Sequence, residues 1–162
     1  PIEIAYFDRG PLSAENLVFG GYWSTYWYKG RIYGTETMRG LDVLELEPSE
    51  FLTANEIAAA TMADYDGVFN PQQQFPVSWP AEPVVAHAYL DQLERDKALP
   101  DSLVADVRTA LAGADMQSRD RKRAKELKSL AADIEGDTGD TVTKKRRAAL
   151  AETLNGIAAR LR

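Results

Sequence analysis

The sequence predicts a mixed, β-then-α chain. One antiparallel four-stranded sheet of the β-propeller-blade type spans residues 1–47, and a short helix and Pro-rich connector span 48–80. A helical extension over 81–162 ends in a long antiparallel helix hairpin. Three observations predict this. The 162 residues include 3 Trp, 7 Tyr and 5 Phe, and all of them except Tyr89 fall within residues 1–80. Charge divides at the same place: residues 1–80 hold 11 acids and 4 bases, net −7, and residues 81–162 hold 14 and 15, net +1. Apolar side chains recur at helical period only in the second half, which is rich in Ala, Leu, Lys and Arg.

The strands come first. Residues 2–7 alternate β-branched and aromatic side chains, and Gly10-Pro11 stops them. Residues 17–19 are apolar and lead into Gly20-Gly21. Residues 22–28 (YWSTYWY) and 31–36 (RIYGTE) are strands joined by Lys29-Gly30, a two-residue hairpin loop. Lysine tolerates positive φ poorly, so a type I turn with a glycine bulge and a type I′ turn both fit. Met38-Arg39-Gly40 turns the chain into a last strand, residues 41–46, before Pro48. At least two of these strands carry apolar groups on both faces, so the sheet must be covered on both sides. Four strands in some 47 residues is about the period of a propeller blade, and such a unit needs neighbours.

The helices come next. Residues 48–52 are expected to form a short helical turn. Thr53 and Glu56 have the spacing of a capping box opening a helix to about Asp64, with Gly67 as its stop. Residues 66–80 carry three prolines and read as a connector. Residues 83–97 place Val85, Tyr89 and Leu93 on one face, and 102–112 place Leu103, Val107 and Leu111 on another. Two longer helices close the chain. Residues 118–135 carry the stripe Ala124, Leu127, Leu130, Ala131 and Ile134; residues 141–161 carry Leu150, Leu154, Ile157 and Leu161. The five residues 136–140 between them suit an antiparallel hairpin.

Apolar residues make up 44% and charged residues 27%, the balance of a globular protein, and no apolar run approaches the roughly 20 residues of a membrane span. There is no Cys, which excludes disulfides and cysteine-ligated zinc. The chain begins with Pro1 and not Met, and is expected to be a processed product or a portion of something longer.

The stretches PIEIAYF at 1–7 and GLDVLEL at 40–46 resemble strands of bacterial LVIVD-repeat proteins. GGYWSTYWYKGRIYGTETMRGLDVLEL at 20–46 is similar to the last blade of a large subgroup of that family. PSEFLTANEIAAATMADYDGVFNPQQQFPVSWPAEP at 48–83 is similar to the segment after the propeller in that subgroup. The resemblance covers residues 1–90 well and the helical tail loosely. It implies a secreted, periplasmic or cell-surface β-propeller with no defined reaction. The expected function is non-catalytic binding or scaffolding, with a chain or segment carrying the remaining blades as partner. A propeller hydrolase or lyase with its catalytic groups on those blades is the alternative. In such blades this proline follows Asn or Asp, and an Asn-Pro bond can self-cleave to leave an N-terminal Pro, so Pro1 is also read as a cleavage product.

Trp23 and Tyr26, in the aromatic cluster, could stack on an envelope polymer or another surface protein, and Glu36 and Arg39 flank a turn beside them where a ligand could bind. Packing between sheets and a local ion pair are the plainer roles for these four. A free Pro1 could serve as the general base of a tautomerase, but that chemistry needs a strand–helix–strand frame. His87 is the sole histidine, which leaves no zinc triad. Asp133, Glu135, Asp137 and Asp140 miss calcium-loop spacing, so no metal is assigned and Asp140 reads as a helix cap. No nucleophile elbow, phosphate loop, zinc-protease or dinucleotide motif occurs, and no cofactor is predicted. Two basic runs, Arg119 to Lys128 and Lys144 to Arg147, would sit at opposite ends of the hairpin. The near-neutral charge of that half argues against a dedicated nucleic-acid binder.

Overall fold

A computed structural model describes residues 2–63, 77–136 and 139–162. The chain divides into two compact units, Pro1–Val77 and Ser78–Arg162.

The first unit holds an open antiparallel sheet of three strands, β1 (Tyr22–Tyr28), β2 (Arg31–Glu36) and β3 (Gly40–Leu44), in the order β1-β2-β3. Lys29 and Gly30 both have positive φ, 47° and 82°, the requirement of a type I′ turn. The register pairs Tyr26 with Tyr33 and Tyr33 with Val43, and slips by one residue between Tyr22 and Ser24, a bulge that leaves Trp23 unpaired. After the sheet comes α1 (Ala54–Thr61), opened by the capping box. The Thr53 hydroxyl accepts from the Glu56 N–H at 3.2 Å, and the Glu56 carboxylate accepts from the Thr53 N–H at 2.7 Å.

The expected four-stranded blade is corrected to three strands. Residues 2–7 form no ladder, although their side-chain pattern is that of a strand. Ala5, Tyr6 and Phe7 line a groove with Val43 and Leu44, beside β3, without joining it. Just after them the chain is tied down by side chains. Arg9 pairs with Asp42, and Arg39 donates to the carbonyls of Gly10 and Pro11 at 3.3 and 3.0 Å. A strand is completed by backbone partners, which alternation alone does not supply. Residues 48–52 hold an isolated bridge between Ser49 and Leu52 in place of a helical turn. Helix α1 ends at Thr61 with Met62 as its C-cap, short of the expected end at about Asp64; Asp64, Gly67 and most of the connector lie outside the described residues.

The second unit contains α2 (Pro83–Arg95), α3 (Asp101–Ala112), α4 (Arg121–Ile134) and α5 (Thr141–Arg160). Helix α5 packs on α4 and α2, and α3 packs on the same two helices. Helices α4 and α5 run antiparallel: the Asp120 N–H donates to the Leu161 carbonyl at 2.8 Å at one end, and Arg147 Nε donates to the Ile134 carbonyl at 2.9 Å at the other. Leu90, Leu93, Leu127, Ile134, Leu150, Leu154, Ile157 and Leu161 are fully buried in one core. Asp120 and Asp140 cap α4 and α5, accepting from the Arg123 and Thr143 N–H groups at 2.9 and 2.7 Å. Gly156, an expensive residue in a helix interior, sits where Ala81 presses against α5, and Arg160 donates to the Ala81 carbonyl at 3.0 Å. No described helix is long and apolar enough to cross a membrane.

Candidate functional site

The two faces of the sheet are set by its register. Tyr26, Tyr33 and Val43 share one face; Trp27, Ile32 and Leu44 share the other. The first face is open: Tyr26 is 42%, Val43 49% and Leu41 60% exposed. The second is half-buried. Tyr22 lies over Gly34, whose missing Cβ makes room for the ring, and its hydroxyl bonds to Asp42. Arg9 bonds to the other oxygen of the same carboxylate. These two bonds, Arg9 first, hold the Asp42 carboxyl below its usual range, and the bond to Asp42 pushes the Tyr22 phenol up.

Of the four sequence-predicted binding residues, Glu36 and Arg39 come together and Trp23 and Tyr26 stand apart from them. Glu36 and Arg39 line an open groove of about 430 Å³ with Arg9, Pro11, Leu17 and Tyr22. Both are already engaged. The Glu36 carboxylate accepts from the Gly21 and Met38 N–H groups at 2.6 and 2.9 Å, and the Gly21 bond is the main cause of its lowered pKa. Arg39 clamps the Gly10 and Pro11 carbonyls. Their chemistry here is to fasten the chain before β1 onto the sheet. Trp23, at the bulge, is 79% exposed, and bulges re-aim side chains in this way. Tyr26 stands on the open face. Pro1 lies outside the described residues, and residues 2–21 after it form neither strand nor helix, so the frame a tautomerase needs is not there.

In the second unit, Asp91 is buried on α2 and accepts from Arg108 of α3 at 2.8 Å; Arg108 also bonds to Glu94. His87, one turn before Asp91, has its Nδ1 buried with no hydrogen-bond partner, and burial, then the Arg108 charge, pushes its pKa down. Sequence reasoning missed both ionic clusters. Asp42 was findable as the lone acid in an otherwise apolar strand, GLDVL. Asp91 was findable as an acid set against the apolar stripe of α2.

No family model, curated protein or solved structure matches this chain.

Proposed function

We propose that the first unit is a non-catalytic binding or scaffolding segment whose sheet is covered, in the working state, by further β structure from another segment or chain. The observation that carries this reading is the burial pattern. Among the described residues of the unit no large hydrophobic side chain is buried, and Tyr6, Leu17, Phe19, Trp23, Leu41 and Val43 are exposed. A sheet with apolar groups on both faces needs cover on both. Scattered apolar side chains are ordinary on a protein surface, but here one face of the sheet carries Tyr26, Leu41 and Val43 together, each exposed, and apolar side chains sharing a face mark an interaction surface. Arg9, Glu36, Arg39 and Asp42 act as clamps within the unit, which favours binding over catalysis. The resemblance to LVIVD-repeat proteins supports a cell-surface or envelope setting and propeller sheet as the cover.

The test uses the full chain carrying Trp79→Phe, so that Trp23 and Trp27 alone report on the sheet. Their emission is expected to be solvent-like and to change gradually with urea. A native-like emission lost in one cooperative step by a monomeric chain overturns the reading.

A further inference from the structure

We propose that the outer face of α4 binds a linear polyanion, a phosphodiester-linked polymer of small polyols without bases. The two basic runs differ in what they already hold. Most of the run on α5 is engaged: Arg146 pairs with Asp96, Arg147 donates to the Ile134 carbonyl and Lys144 has its own interaction, while Lys145 is exposed with no side-chain partner among the described residues. The run on α4 is not. Of Arg119, Arg121, Lys122, Arg123, Lys125 and Lys128, only Arg123 bonds or pairs through its side chain among the described residues, with Asp120 and Glu126. Those contacts also occupy the two nearest acids. Asp106, across a groove of about 650 Å³ between α3 and α4, is the remaining carboxylate facing Lys122 and Lys125.

The placement costs stability. Arg121, Lys122 and Lys125 stand in the first turns of α4, whose first turn holds no acid, and the helix dipole disfavours cations there. Arg121, Lys125 and Lys128 have i, i+4, i+7 spacing, one stripe about 10 Å long on the helix axis. Successive anions of an extended polymer can meet successive cations along it.

The chemistry around the stripe selects the occupant. No Trp, Tyr or Phe lies on α3, α4 or α5, so the unpaired bases of a single strand have nothing to stack on. No large apolar side chain of α4 is exposed, so nothing enters a lipid layer. What remains is recognition of repeated phosphate by charge. None of this depends on how the sheet of the first unit is covered.

The experiment measures binding of the full chain to poly(glycerol phosphate) over a range of salt, with polyuridylate, duplex DNA and phosphatidylglycerol vesicles as parallel arms. The chain is expected to bind poly(glycerol phosphate) in preference to the other three, with affinity falling as salt rises. Arg121→Glu and Lys125→Glu are each expected to weaken binding severalfold and to flatten the slope of log K against log salt by about 1. Lys145→Glu changes the net charge equally and is expected to leave binding unchanged. Arg121→Glu is also expected to raise the thermal midpoint of the helices, because an acid suits that position. A merely structural arginine would lower it. No binding at low salt, equal effects of Arg121→Glu and Lys145→Glu, or equal or tighter binding to polyuridylate, to duplex DNA or to vesicles each overturns the proposal. Lys125→Gln, with a smaller effect of the same sign, replaces the reversal if that variant does not fold.

Discussion

His87 resists protonation where it sits, and its protonation is coupled to the stability of the second unit. Its Nδ1 is buried without a partner, and Arg108 opposes a second positive charge more than Asp91 invites it. The folded pKa therefore lies below the unfolded one. The unfolded chain takes up a proton as pH falls through about 6.5 and the folded chain resists, so stability is full above that pH and declines below it. With no other histidine in the sequence, the helical urea midpoint is expected to fall from pH 8 to pH 5.5, and His87→Gln is expected to flatten that dependence. A profile unchanged by the substitution would show that the imidazole is not the coupled group. Asp42 makes the corresponding case in the sheet. Asp42→Asn removes the carboxylate that pushes the Tyr22 phenol up, so spectrophotometric titration of the tyrosines is expected to show one phenol ionising at lower pH than before. Neither site can be read from periodicity. Asp42 was visible as an anomaly in its strand, but its partner Arg9 lies 33 residues away along the chain, and alternation says nothing about contacts that distant.

Secondary-structure elements were legible where their signal is local. The stripe of Ala124, Leu127, Leu130, Ala131 and Ile134 is buried as the period requires, and Thr53, Glu56 and Asp140 cap as their spacing predicts. Residues 2–7 had an equally good local pattern and form no strand, because strand formation is settled by a partner elsewhere. Gly156 was illegible for the same reason. A glycine inside α5 reads as a weak helix position until Ala81 is seen against it. Gly156→Leu improves helix propensity and is nonetheless expected to lower the thermal midpoint of the second unit, because Ala81 and the Arg160 bond to its carbonyl must move; a raised midpoint would mean the close approach is dispensable. Leu154→Ala on the same helix empties part of a fully buried site and is expected to cost about 2–5 kcal/mol in a urea titration.

The whole molecule joins two units with different relations to their own cores. Among the described residues, every fully buried large side chain belongs to the second unit, and its core cluster runs from Ala86 to Leu161 without a residue from before Ser78. A bundle of about 85 residues with such a core buries enough apolar surface to fold by itself. The charge balance is consistent with this, since the −7 of residues 1–80 is set against +1 in the helices and a near-neutral bundle carries little self-repulsion. Residues 78–162 expressed alone are therefore expected to be helical, monomeric and cooperative. With Trp79→Phe, which leaves Tyr89 as the fluorophore of this fragment, ellipticity at 222 nm and Tyr89 fluorescence should give coincident urea transitions, since Tyr89 is packed against the core. Transitions that separate, or a gradual loss of helix, would mean the four helices need the first unit to fold. The molecule would then be one cooperative structure, and the division of its core would have to be drawn elsewhere.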